Sequence, residues 1–76
     1  MHNVYKINSK CYYSGISFVA ADNADEANAF IDSFKKSDPE NIFDSRGYEN
    51  VTEDNVVDNL YSDIKGIIYK DIYYCG

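Results

Sequence analysis

The sequence predicts a small α+β fold in which one amphipathic helix packs on one face of a mainly antiparallel sheet. Two alternating runs surround a Ser-Gly pair near the N-terminus, a capped segment with an apolar stripe covers about residues 24–36, and a run rich in Ile and Tyr closes the chain. The 76 residues, 45% of them hydrophobic, suit a single small domain, 1–76. A chain this short buries only about 60% of the surface that it exposes when unfolded, so every large apolar residue is expected to be needed.

The N-terminal region is predicted to form a β-hairpin. Residues 4–13 alternate between two faces, and a period of two is typical of a strand. Ser14-Gly15 is a turn signal, and residues 16–21 then resume as a second strand. Two such runs around a tight turn favour antiparallel pairing.

The segment 24–36 is predicted to be an α-helix. Asn23 suits the N-cap position and Glu26 follows three residues later, which is the capping-box pattern. Pro39 prevents the helix from continuing, because proline disfavours helical geometry in the residue before it. The segment has one apolar stripe at helical spacing, formed by Ala27, Phe30, Ile31 and Phe34.

The stretch that follows Thr52 has an ambiguous pattern. Thr52 and the two acidic residues after it are typical of a helix start. Apolar residues then fall on one helical side, which favours a short second helix at about 53–61: Val56, Val57, Leu60, Tyr61 and Ile64. Val and Asn are poor helix formers, so an irregular strand is the alternative.

The chain ends on a predicted strand that is apolar on both faces. Residues 67–74 are dense in β-branched and aromatic side chains, which favours a strand over a helix. A strand of this kind is usually covered on both sides. One face is expected to cover the helix stripe, and the other needs a loop, the second helix or another molecule. The sequence leaves open which hairpin strand it pairs with.

The chain is acidic, with 13 Asp and Glu residues against 7 Lys and Arg and a formal net charge of −6. The excess lies in residues 37–63, where eight acidic residues accompany a single basic one, Arg46. A surface of this sign repels phosphate, so no direct binding of DNA or RNA is expected. The polar opening and the lack of any long apolar stretch predict neither a signal peptide nor a membrane span, and a cytoplasmic location is expected.

The two cysteines, Cys11 and Cys75, lie far apart in the chain. A bridge closing so long a loop would stabilise a small domain by about 4 kcal/mol in the chain-entropy model. Cytoplasmic thiols stay reduced and two cysteines make no disulfide framework, so free thiols are expected. A bridge stays open as the alternative if the first and last strands pair in parallel, which would place both cysteines at one end.

The sequence lacks the patterns that catalysis and metal binding require. His2 is the only histidine, so the fold has neither an internal Cys-His pair nor a histidine-rich metal site. No CxxC pair, phosphate-binding glycine pattern or complete calcium loop occurs. We therefore expect no enzymatic activity, no catalytic residues, no cofactor and no metal ion.

The tyrosines are the best candidates for a function. Eight Tyr residues occur in the chain, and those on predicted strands exceed what the core of a one-helix protein can hold. The preferred hypothesis is a non-enzymatic module that binds a protein partner or forms a homodimer through a Tyr-rich sheet face, with four anchor residues: Tyr12, Tyr69, Tyr73 and Tyr74. The alternative is an acidic inhibitor that imitates a phosphate backbone through residues 38–63 and occupies a nucleic-acid enzyme.

Two stretches, SFVAADNADEANAFI at 17–31 and GIIYKDIYY at 66–74, resemble short uncharacterised proteins carried by prophages and mobile elements of gut bacteria. In those proteins a strand ending in small residues enters a helix through an acidic cap, and the chain finishes on a Gly-Ile-Ile-Tyr strand. The resemblance implies a compact α+β fold and an accessory role. It supplies no functional residues.

Overall fold

The computed structural model describes residues 1–8, 17–37 and 49–69, which form a four-stranded antiparallel sheet and one α-helix. The predicted α+β class is confirmed. In chain order the elements are β1 (His2–Ile7), β2 (Ser17–Ala21), α1 (Ala24–Ser37), a 3₁₀ turn (Glu53–Asn55), β3 (Val56–Ser62) and β4 (Gly66–Tyr69).

The four strands lie in the order β3-β1-β2-β4, and every neighbouring pair is antiparallel. The pairing of β1 with β2 confirms the N-terminal hairpin, with Ile7 opposite Ser17 at one end and Asn3 opposite Ala21 at the other. Its predicted turn at Ser14-Gly15 lies outside the described residues. Cys11 and Cys75 also lie outside them, so their thiol state stays a prediction.

Helix α1 begins where the sequence predicts and ends one residue later, at Ser37. The side chain of Asn23 accepts a hydrogen bond from the Glu26 amide at 2.8 Å, which confirms the N-cap. The Glu26 carboxylate accepts from the Asp22 amide at 3.0 Å, one residue before the position that a standard capping box uses. No helix in the described ranges is long and apolar enough to cross a membrane.

The core lies between α1 and one face of the sheet. Alternate residues of β1 and β2 point towards the helix, whose predicted apolar stripe is confirmed: Phe30 and Phe34 are half-buried against the same cluster. The buried members of the cluster are Tyr5, Ile7, Val19, Ala21, Ala24, Ala27, Ile31 and Val51. Val51 comes from the segment after the helix, so that segment also closes the core.

The predicted second helix at 53–61 is wrong, and the irregular strand is confirmed. Thr52 does cap a turn, because its hydroxyl accepts from the Asp54 amide at 3.2 Å and its own amide donates to the Asn55 side chain at 2.8 Å. The helical geometry ends after this single 3₁₀ turn. The residues that follow are β-branched or poor helix formers, and β1 offers them a free edge for pairing, so a strand is formed instead.

Strand β3 contains a large bulge. Asn3 and Tyr5 are two positions apart on β1, yet their partners Tyr61 and Val56 are five positions apart on β3. The surplus residues leave the regular ladder, and Asn59 among them has a φ of 62°, in the left-handed region. Asn tolerates this conformation better than most residues because its side chain can hydrogen-bond locally.

Strand β4 pairs with β2, which answers the question that the sequence leaves open. Ile67 lies opposite Val19 and packs against the helix-side core, as predicted for one face of the terminal strand. Gly66 is the first residue of the strand and has a φ of 111°, a backbone conformation that residues other than glycine rarely adopt. The rest of the predicted terminal strand, residues 70–74, lies outside the described residues.

Only residues 63–65 connect β3 to β4, although these strands lie on opposite edges of the sheet. Three strand spacings amount to about 14 Å, and the four residue steps from Ser62 to Gly66 reach about 13–14 Å when fully extended. This crossing link is itself bent at Asp63 and Ile64, where the Ser62 hydroxyl donates to the Ile64 carbonyl at 2.8 Å and accepts from the Ile64 amide at 3.2 Å. The sheet must therefore curl so that its two edges come closer together.

The bulge makes a testable prediction about Asn59. Asn59→Gly is expected to leave the free energy of unfolding unchanged or to raise it by up to about 1 kcal/mol, because Gly adopts a positive φ without steric cost. Asn59→Val is expected to lower it by about 1–2 kcal/mol, since a β-branched residue is strained there. Urea unfolding measures both changes, and a Val variant as stable as the parent would contradict the assigned conformation.

Ser17 makes a second prediction. Its side chain is fully buried opposite Ile7, and its hydroxyl has no hydrogen-bond partner among the residues described. A buried unsatisfied hydroxyl costs about 1–3 kcal/mol, so Ser17→Ala is expected to keep or raise the free energy of unfolding. Ser33→Ala, on the exposed side of α1, is the control and should change it by less than about 0.5 kcal/mol. A clear loss of stability in Ser17→Ala would show that the hydroxyl has a partner.

Candidate functional site

The tyrosines predicted as anchors are only partly covered by the structure. Tyr12, Tyr73 and Tyr74 lie outside the described residues. The backbone of Tyr69 closes β4 opposite Phe18. The docking role of these four residues therefore stays a prediction.

Large exposed apolar side chains occur at one end of β3 and in the residues next to it. Leu60 is 42% exposed, Tyr61 55% and Ile64, in the crossing link, 67%. Met1, 81% exposed, precedes β1, whose residues His2 and Asn3 lie opposite Ser62 and Tyr61. We call Met1, Leu60, Tyr61 and Ile64 the β3 patch. The sequence pattern places Leu60, Tyr61 and Ile64 on one helical side, whereas Leu60 and Tyr61 lie on an edge strand and Ile64 lies in the crossing link.

The β3 patch is exposed because the other layers of the fold lie elsewhere. Helix α1 packs chiefly on β2 and β4. The segment 50–55, which we call the strap, covers the adjoining part of β1 and contributes Val51 to the core. Among the described residues, β3 is an outer strand with β1 as its neighbour, so its outward side chains face solvent.

The strap is fixed by amide side chains. Asn28 of α1 donates to the Val51 carbonyl at 2.9 Å and accepts from the Val51 amide at 2.7 Å, which reproduces the pairing of two strands. Asn55 donates to the Lys6 carbonyl at 3.2 Å, and Asn50 donates to Asp32 at the same distance. These bonds set the position at which β3 starts.

Glu53 joins the 3₁₀ turn to both layers of the fold. Its carboxylate accepts a hydrogen bond from the Tyr5 hydroxyl at 2.6 Å and another from the Ala24 amide at 3.1 Å. Ala24 is the first residue of α1, so the carboxylate also lies where the helix dipole favours an anion. The Tyr5 hydrogen bond, and then that from Ala24, lower the pKa of Glu53, while burial and then Glu53 raise the pKa of Tyr5.

A charged cluster holds the crossing link. Lys65 lies 2.9 Å from Asp22 and 3.1 Å from Glu26, and His2 donates to Asp22 from the β1 side. The hydrogen bond from His2, followed by that from Lys65, lowers the pKa of Asp22, and the two carboxylates raise the pKa of Lys65. These groups are solvent-accessible, so the cluster positions the link more than it stabilises the fold. In the described ranges no three His, Cys, Asp or Glu residues are grouped so that they could hold a metal ion.

The β3 patch has an acidic surround. Asp54, Asp58 and Asp63 are exposed, and their carboxylates have no hydrogen-bond or ion-pair partner among the residues described. The sequence contains no Lys or Arg from residue 49 to residue 64. Lys65 is already neutralised by two carboxylates, and Lys6 of β1 lies near the start of β3. The α-amino group of Met1 makes no ion pair with a described residue.

Comparison with protein-family models, curated proteins and solved structures finds no match to this chain. The resemblance to prophage and mobile-element proteins therefore stays a prediction.

The Glu53 bridge makes a pH-dependent prediction. Tyr5→Phe is expected to lower the free energy of unfolding at pH 7 by about 1 kcal/mol, the net value of a typical hydrogen bond. The Glu53 pKa is lowered in the folded state, so its contribution is complete above the unfolded pKa of about 4.3 and is lost as the pH falls through the folded pKa. The difference between parent and variant should therefore shrink in acid, as urea unfolding from pH 7 to pH 2.5 can measure.

Tyr61→Phe is the matched control for this experiment. Tyr61 is exposed and its hydroxyl makes no hydrogen bond to any described residue, so the same atom is removed without loss of an interaction. Its free energy of unfolding should equal that of the parent at every pH. A Tyr5→Phe deficit that stays constant down to pH 2.5 would contradict the carboxylate bridge.

Proposed function

We propose that this chain is a non-enzymatic protein-binding module that docks a partner through exposed side chains of its sheet. The observation that carries the proposal is the β3 patch: Leu60 and Tyr61 are exposed on an outer strand, and Ile64 is exposed in the link that follows it. Met1 is exposed just before the neighbouring strand β1. Clustered apolar surface on a small protein often marks an interaction site, and Tyr is enriched among the residues that dominate binding energy.

The local structure favours docking without a large ordering cost. The strap fixes the start of β3 through Asn28 and Asn55, and Lys65 fixes the link that follows it. The side chains between these points are therefore presented by a backbone that is held at both ends. Preorganisation of this kind raises affinity because less conformational freedom is lost on binding.

The tyrosines of the terminal segment belong to the same proposal as a second surface. Tyr69 closes β4, which is the sheet edge opposite β3, and Tyr73 and Tyr74 follow it in the chain. Strands β1 and β2 lie between the two edge strands. Variants at the two surfaces can therefore be read independently.

An acidic inhibitor remains the second candidate. The exposed carboxylates of Asp58 in β3, and of Asp54 and Asp63 on either side of it, favour this function because they are available to a basic partner. Glu53 does not contribute, since its two oxygens bind Tyr5 and Ala24. If the chain is an acidic inhibitor, a nucleic-acid enzyme should lose activity when the chain is added.

Site-specific photocrosslinking tests the proposal. A benzophenone amino acid replaces Tyr61 in one preparation and Ala29, exposed on α1, in the control. In a lysate of the source cells we expect a discrete crosslinked product from position 61 and none from position 29, and its mass distinguishes a second copy from another protein. Leu60→Ala should reduce the yield severalfold.

Two further variants separate the surfaces. If Tyr73→Ala and Tyr74→Ala abolish the product and Leu60→Ala does not, binding belongs to the terminal segment and the anchors are the predicted tyrosines. Equal crosslinking from positions 61 and 29, or none from either position together with monomeric sedimentation over a hundredfold concentration range, would overturn the docking function of β3.

A further inference from the structure

We infer that the partner of the β3 patch is a protein segment with apolar side chains flanked by Lys or Arg. The inference rests on the proposed function and adds the chemistry of the occupant. The patch supplies apolar contact area from Leu60, Tyr61 and Ile64, while Asp58 lies in the same strand and Asp63 begins the crossing link. An apolar centre with a charged rim is the usual anatomy of a docking surface.

The carboxylates of Asp58 and Asp63 make no ion pair within the described structure. The one lysine next to the patch in sequence, Lys65, lies within 3.1 Å of both Asp22 and Glu26, so its charge is already compensated. Lys6 lies on β1 near the 3₁₀ turn, where its carbonyl accepts from Asn55. That position is at the start of β3, whereas Tyr61 and Ile64 are at the opposite end of the strand and beyond it.

A second copy of this chain is a poor occupant. Self-docking on the same surface would bring Asp58 and Asp63 of one copy towards the same residues of the other, and like charges placed opposite each other are destabilising. The whole chain carries a formal charge of −6, which adds a general repulsion. Nucleic acids and anionic membranes are disfavoured by the same charge. A basic protein segment is the class of partner for which the rim is attractive.

The backbone of β3 favours recognition through side chains rather than a long added strand. The bulge interrupts its pairing between Val56 and Tyr61, and Asn59 departs from strand geometry altogether. A bulge and a charged residue on an edge strand both hinder the addition of another strand. The partner segment is therefore short, with its apolar residues on the patch and its cations against Asp58 and Asp63.

Selection from a random peptide library tests this inference without knowledge of the natural partner. The full chain is immobilised, and displayed 12-residue peptides are selected at low ionic strength. We expect enriched peptides to combine apolar residues with a clear excess of Lys and Arg over the starting library. The affinity of a synthesised copy of a selected peptide should fall at least tenfold for Tyr61→Ala. It should fall several-fold when salt is raised, because exposed charge pairs are screened.

A charge-matched pair of double variants isolates the role of the rim. Asp58→Asn with Asp63→Asn should weaken binding about fivefold, whereas Asp25→Asn with Glu49→Gln removes two exposed acids away from the patch and should leave it nearly unchanged. Circular dichroism and thermal unfolding confirm that each variant is folded. Equal losses in the two double variants would overturn the inference.

The remaining outcomes separate this inference from the proposed function. Enriched peptides without a basic excess, or no enrichment at all, overturn the basic-segment inference, whereas a crosslink from position 61 still supports a docking function. A crosslinked homodimer from position 61 also overturns the inference, because the occupant is then a second copy. Peptides whose binding is insensitive to Tyr61→Ala place recognition elsewhere and overturn it too.

Discussion

The bridge from the Glu53 carboxylate to Tyr5 and Ala24 is the interaction on which the arrangement of the layers depends. One oxygen accepts from a phenol buried in the sheet, and the other accepts from the first amide of the helix. The turn that carries this carboxylate leads directly into β3, so the same contact places the outer strand. A single acidic residue thus joins sheet, helix and edge, although in the sequence it is one of many acids.

The hairpin, the helix and most of the core could be predicted because their signals are local. Asn23 and Glu26 mark the helix start within four residues, and the spacing from Ala27 to Phe34 identifies the face that packs on the sheet. The alternation around Tyr5 and Ile7 identifies the matching face of β1. Each of these features is settled by neighbours a few positions away.

For β3 the sequence predicts a strand only as the alternative to a helix, because non-local pairing decides between them. Val56, Leu60 and Tyr61 fit a helical stripe as well as they fit a bulged strand, and only the free edge of β1 selects the strand. The roles of Asn28 and Glu53 depend on contacts with residues more than twenty positions away. The docking role predicted for Tyr12, Tyr69, Tyr73 and Tyr74 stays a prediction, and β4, which ends at Tyr69, is also an outer strand.

The three-residue connection between the outermost strands has a mechanical consequence. A tether of only three residues, with Lys65 bound to Asp22 and Glu26, limits how far β3 can move relative to β4. Ile64 sits on that tether. A displacement of β3 can thereby be passed to β4 through the covalent link, without any rearrangement of the two central strands.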